Sequence, residues 1–148
     1  MSGLNEVGMS KVQHYLRFHL GQEWYGIEVS SVVEVLHFMA LNELPASRPD
    51  ILGMMRLREW VVPITDLRLR FGLPAIYSLN TPIIVANTAS GLIGLVVDDV
   101  DDLERISETQ VTPHDTSASP YITGVARLSN YLLLLLDVSL LRAEIPIL

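Results

Sequence analysis

Cysteine is absent from this 148-residue sequence, which excludes disulfide frameworks, thiolate nucleophiles and cysteine-ligated zinc or iron–sulfur sites and fits a cytosolic protein. Basic charge is scarce: 10 Lys and Arg stand against 17 Asp and Glu, a formal net charge of −7. That balance repels phosphate backbones and anionic lipid headgroups. The densest basic stretch is Arg56, Arg58, Arg68 and Arg70, with Arg48 nearby in sequence. Its aromatic company is Trp60 and Phe71 alone, without the interleaved ladder of a nucleic-acid groove. Long hydrophobic runs are missing too. Gly72 to Val97 carries no charge, but Pro74, Asn80, Pro82, Asn87 and Ser90-Gly91 cut it into strand-sized pieces. The leucine run Leu132 to Leu136 falls far short of the roughly 18 apolar residues a spanning helix requires. Residues 1–11 lack a charged-then-apolar signal architecture and read as a short flexible lead-in.

Catalytic signatures are equally sparse. The sequence contains no Gly-x-Ser-x-Gly elbow and no Gly-x-x-x-x-Gly-Lys phosphate loop, so neither a serine nucleophile nor a nucleotide has a foothold. His14, His19, His37 and His114 stand on separate elements with no metal-ligand spacing. The acidic run Asp98-Asp99-Val100-Asp101-Asp102-Leu103-Glu104 lacks the glycine turn and terminal bidentate glutamate of a calcium loop. It reads as a solvated strand end whose Val100 and Leu103 tuck inward or point towards a partner. No catalytic residue, metal or cofactor is expected.

What the sequence has in quantity is β pattern. Leu16, Phe18 and Leu20 alternate with Arg17 and His19, the period-2 signature of a half-buried strand. Gly21-Gln22 then makes a glycine-first two-residue turn into a second strand carrying Tyr25, Ile27 and Val29. Ser30 to Glu34 has the spacing of a capping box, yet its valines favour a strand, so one helical turn followed by a strand to about Phe38 is expected. A proline-punctuated connection, Leu44 to Pro49, leads to strands Ile51–Leu57 and Val61–Thr65, with Pro63 demoting the latter to an edge or a bulge. Asp66 is placed to cap a short helix and Gly72 to end it. Two further hairpins follow, turning at Ala89-Ser90-Gly91 and Ser129-Asn130, and an Asp137-capped turn closes the pattern. Many short strands and only a few helical turns make this an all-β barrel or sandwich in one domain, over residues 12–143.

The central stretch of the chain contains docking chemistry. Ile51-Leu52-Gly53 leads to Leu57-Arg58-Glu59-Trp60 at a hairpin tip, and Arg and Trp are the residue types that most often anchor protein interfaces. The tip is followed by Val62-Pro63-Ile64-Thr65-Asp66-Leu67-Arg68 with Phe71. Together with Tyr25-Gly26-Ile27-Glu28, Gly94 to Val100, Tyr121-Ile122-Thr123-Gly124 and Leu133 to Asp137, this ordered set resembles the CheW-like adaptor family of bacterial chemosensory arrays from about Tyr15 to Leu141. Where the family commonly has Asn-Leu-Arg-Gly at the hairpin, this chain reads Arg56-Leu57-Arg58-Glu59. A Glu in place of Gly means either that the turn needs no left-handed backbone or that it tolerates the cost.

The resemblance implies two interlocked five-stranded β-barrels, SH3- or OB-like, and a non-catalytic, cytoplasmic adaptor associated with membrane-bound receptor arrays. Its implied partners are the regulatory domain of a CheA-type histidine kinase and the cytoplasmic tip of a methyl-accepting chemoreceptor, without nucleic acid and without membrane insertion. Carried over by position, the partner-binding candidates are Val32, Glu34, Gly53, Arg58 and Leu103. Two other readings stand beside this one: an adaptor of a divergent array with a surface-motility or second-messenger output, and a small barrel binding an oligonucleotide or small ligand on its sheet face.

Overall fold

The computed structural model describes residues 11–37, 49–114 and 119–145. The lead-in before Lys11, most of the proline-punctuated connection, Arg48 and the expected strand end at Phe38 lie outside these residues. Eleven strands are present among them: β1 Val12–Leu20, β2 Glu23–Glu28, β3 Val32–His37, β4 Ile51–Leu57, β5 Trp60–Asp66, β6 Pro82–Thr88, β7 Gly91–Val96, β8 Asp99–Ser107, β9 Val111–Pro113, β10 Ile122–Arg127 and β11 Leu132–Leu136. Two short helices, α1 Leu67–Arg70 and α2 Val138–Ala143, follow β5 and β11. Each is capped by the aspartate before it, Asp66 accepting from the Arg68 amide and Asp137 from the Ser139 amide.

The strands form two sheets, a six-stranded one in the order β8-β1-β2-β11-β10-β9 and a five-stranded one in the order β3-β6-β7-β5-β4. The first sheet takes β1, β2 and β8 to β11, and the second takes the five consecutive strands β3 to β7, so the second sheet is one continuous segment inserted between two parts of the first. The first sheet has one strand more than expected, the three-residue β9. Three apolar cores explain the arrangement. One cluster draws Phe18, Leu20 and Ile27 from the first sheet, Ile84, Ile93 and Leu95 from the second, and Leu67, Val138 and Leu141 from the helices, and so fills the space between the sheets. A second, around Val62, Ile64, Ile83, Val85 and Val96 with Leu36 and Leu52 against it, comes from the five-stranded sheet alone. A third, around Ile106, Ala126, Leu133 and Leu135, comes from the six-stranded sheet alone. Each sheet therefore carries an apolar core of its own besides the one the two share, although closure into the two expected barrels is not seen in the strand pairing among the described residues. Backbone pairing leaves both sheets open at their outer strands.

Two expectations require correction. Strand β5 is internal, flanked by β7 and β4, despite Pro63. Pairing with β7 begins only at Ile64, so Pro63 falls where the strand still has a single neighbour, and a residue without an N–H is tolerated there. The Ser30-to-Glu34 capping box does not form: the 3₁₀ turn Val29–Ser31 has no side-chain cap. A capping box does form at Ser107 and Gln110, around a second 3₁₀ turn between β8 and β9. The acidic run, read as a solvated strand end, supplies the largely exposed first half of β8, a nine-residue strand.

Candidate functional site

The hairpin β4–β5 turns in two residues, Leu57 pairing with Trp60 across Arg58-Glu59. Arg58 adopts φ 56°, the only non-glycine residue with positive φ among those described. Glu59 therefore needs no left-handed backbone, and the strain that a glycine would relieve falls on Arg58, one position earlier. For an L-residue that conformation costs about 1–2 kcal/mol. Its guanidinium Nη2 donates to Glu34 Oε1 at 2.9 Å. Glu34 lies on β3 and the hairpin ends β4, the two outer strands of the five-stranded sheet, so this pair bridges the sheet's open edges through side chains. Arg58 remains 60% exposed and Glu34 28%, so most of the guanidinium fork is free for another acceptor.

The other candidates border the same region without all meeting. Val32 packs, half-buried, against the core between the sheets. The register of β3 slips between Val32 and Glu34, which turns Val32 towards that core and Glu34 towards the sheet edge. Gly53 is buried in β4 at a second slip, between Ile51 and Gly53. Leu103 lies on β8 opposite Leu16. Leu16 is buried in the core between the sheets while Leu103 is 55% exposed, so Leu103 sits on the rim of that core. The structure joins Glu34 to Arg58 directly. Among the described residues it shows no contact that brings Gly53 or Leu103 to that pair.

The basic stretch does not act as a patch. Arg68 is buried beside Asp66, its Nε and Nη2 donating to the two Asp66 oxygens at 3.0 Å each. Its Nη1 donates to Asp98 Oδ1 at 3.0 Å and to the Ile76 carbonyl at 3.1 Å. Burial opposes the Arg68 charge, but the hydrogen bonds and charges of Asp66 and Asp98 outweigh it and hold its pKa above the ordinary arginine value. Tyr77 also donates to Asp66. Burial, reinforced by that bond to a carboxylate, pushes its phenol up to about 12. Arg70 pairs with Glu144.

A second polar cluster escaped the sequence pattern. Arg17, assigned to the solvent face of β1, reaches Asp101 and Glu104 on β8 and the Tyr131 hydroxyl. It also lies over the Trp24 ring at 4.6 Å, with His19 stacked on Trp24 at 4.0 Å between ring centroids. A run of carboxylates facing a lone arginine on an alternating strand was the available signal. Among the described residues no group of three or more His, Asp or Glu is arranged to hold a metal ion, and no helix is long and apolar enough to cross a membrane.

Residues 14–145 match the CheW-like domain. The chain is 35% identical to the chemotaxis protein CheW of Klebsiella aerogenes, over 97% of this chain and 92% of that protein. It is 28% identical to the chemotaxis protein CheW of Bacillus subtilis, over 81% and 80% of the two chains. Its fold superposes on the crystal structure of the scaffolding protein TtCheW from Thermoanaerobacter tengcongensis with a TM-score of 0.79 and 25% identity, covering 87% of this chain and 90% of that one. An all-β pair of sheets, an exposed arginine hairpin and a match along nearly the whole chain place this protein in the CheW-like family of chemotaxis adaptors.

Proposed function

We propose that the protein couples the cytoplasmic tip of a methyl-accepting chemoreceptor to the regulatory domain of a CheA-type histidine kinase, by binding alone and in the cytoplasm. The observation that carries this reading is Arg58. A two-residue turn would be relaxed by glycine at that position, yet it holds a strained arginine whose fork is only partly used by Glu34. A side chain kept against backbone preference is kept for what it contacts. Val32 and Leu103 offer apolar surface along the rim between the sheets, and Gly53 keeps β4 slim at its bulge. Together with Glu34 and Arg58 they form the partner-facing set.

The reading is tested by calorimetric titration with the regulatory domain of the cell's own CheA-type kinase and with a receptor tip fragment. Saturable binding at micromolar or tighter affinity is expected. Arg58→Ala should fold normally and lose receptor-dependent control of the kinase. An Arg58→Ala protein that still couples receptor to kinase removes Arg58 from the site. The altered hairpin, Arg56-Leu57-Arg58-Glu59, favours a partner whose contact surface differs from the usual one, as an adaptor of a divergent array would meet. An oligonucleotide-binding barrel is disfavoured because the net charge is −7 and Arg68 and Arg70 of the basic stretch are paired with carboxylates.

A further inference from the structure

An open groove of about 530 Å³ runs beside the hairpin tip, between the start of β3, the start of β5, the β6–β7 turn and α2. Its walls are mostly apolar, with Asn87 and Arg142 as the polar side chains. Val33, Trp60 and Val61 are 40%, 46% and 48% exposed, and Leu92 lines the groove with them. Neighbours on a strand normally face opposite ways. Trp60 and Val61 are both exposed because β5 at that point has not yet met β7, whose pairing begins at Ile64.

The groove carries one charge. Arg142, on α2, donates from Nε to the Leu92 carbonyl at 2.9 Å, which fixes the guanidinium against the β6–β7 turn. Gly91 permits that approach, since a Cβ there would meet Arg142 Nη2 at 3.2 Å and Nε at 3.4 Å. Among the described residues Arg142 has no ion pair, unlike Arg17, Arg58, Arg68 and Arg70; Arg56, Arg105 and Arg127 have none either, but those three are exposed, whereas Arg142 is half-buried and held in place by its bond to Leu92. In a chain of net charge −7, an oriented arginine with no carboxylate beside it among the described residues, next to an exposed tryptophan, is a charged donor open to an acceptor from a partner. Arg and Trp are also the side chains that most often carry binding energy at protein interfaces.

We propose that this groove docks a segment of a partner protein in which leucine-type side chains flank an Asp or Glu, the apolar side chains lying against Trp60 and Val61 and the carboxylate on Arg142. The proposal rests on the adaptor reading only in taking the occupant to be a protein. It names a contact surface separate from the Glu34–Arg58 pair.

The test is an NMR titration of the ¹⁵N-labelled full chain with two acetylated, amidated pentapeptides, Ala-Leu-Glu-Leu-Ala and Ala-Leu-Gln-Leu-Ala, which differ only in the charge. The Glu peptide should shift the Trp60 indole N–H and the Arg142 Nε–H while leaving the Trp24 indole in place, and should bind about fivefold more tightly than the Gln peptide, as a charge-assisted hydrogen bond provides. In Arg142→Gln the two peptides should bind alike, and Arg142→Lys should restore part of the preference. Equal affinity of the two peptides for the parent protein, or shifts that spare Trp60, overturns the proposal. No kinase or receptor is present in the tube, so either result leaves the adaptor reading to its own test. A kinase that fails to bind likewise leaves the peptide result standing.

Discussion

Two hairpins of this protein turn in the same way on different residues. In β1–β2, Leu20 pairs with Glu23 across Gly21-Gln22, and Gly21 takes φ 58°. In β4–β5 the turn is again two residues, and the matching position is Arg58 at φ 56°. The first hairpin is tied to the interior: the Gly21 amide donates to Asp98 Oδ2 at 2.7 Å, and the other Asp98 oxygen accepts from buried Arg68. The second is tied only by the largely exposed pair of Arg58 with Glu34. Glycine, which adopts this backbone freely, stands at the turn tied to the interior, and arginine, at a cost of about 1–2 kcal/mol, stands at the turn tied by an exposed ion pair. On the proposed function, that cost is accepted for what the arginine contacts.

The contrast is broken most severely through Arg68. It anchors the first hairpin by way of Asp98, and with Arg68→Ala the fully buried Asp66 keeps its charge without its partner. Loss of about 3–5 kcal/mol is expected, read as a lower urea midpoint. A loss under about 1 kcal/mol would mean the network is dispensable.

Gly21→Ala comes next. A Cβ there meets Leu73 Cδ1 at 3.5 Å, an ordinary contact, so only the backbone is strained. The expected cost is about 1–2 kcal/mol, measured by the same unfolding curve.

The reciprocal change, Arg58→Gly, should leave stability within about 1 kcal/mol of the parent. It relieves the left-handed strain, loses an exposed ion pair whose contribution is about 0–1 kcal/mol, and gives the unfolded chain more freedom.

The smallest effect is the pH dependence through Tyr77. Its phenol is raised from 10.0 to about 12 in the folded protein, so folding favours the protonated form. The stabilisation is fully present below pH 10 and is lost as pH rises from about 10 to 12, because the unfolded chain releases that proton first. Tyr77 is 40% exposed, which keeps the effect small. The stability of Tyr77→Phe should fall less steeply above pH 10 than that of the parent, since other tyrosines are raised as well. Equal slopes would remove Tyr77 from the network.

Much of the fold was legible because its signals are local. Leu16, Phe18 and Leu20 announce an inward face by spacing alone, and Gly21, Asp66 and Asp137 place a turn and two caps within a few residues of what they control. What stayed hidden depends on distant partners. The acidic half of β8 is solvated as read, but its pairing with Arg17 stayed hidden because that counter-ion is 87 residues from Glu104. Pro63 reads as an edge signal because the sequence does not say where pairing with β7 starts. Arg58 was legible as an interface residue by type and by resemblance, but its strain is a matter of φ and appears only in three dimensions. Arg142 and its groove were invisible, since their walls come from four elements spread between Val33 and α2.

The most direct test of the account is to measure one variant, Arg58→Gly, on both axes at once: urea stability of the purified protein, and receptor-dependent control of the CheA-type kinase in a reconstituted array. The account predicts stability within about 1 kcal/mol of the parent and loss of control. Intact control together with a stability loss above about 2 kcal/mol would show that Arg58 serves the fold, and would contradict it.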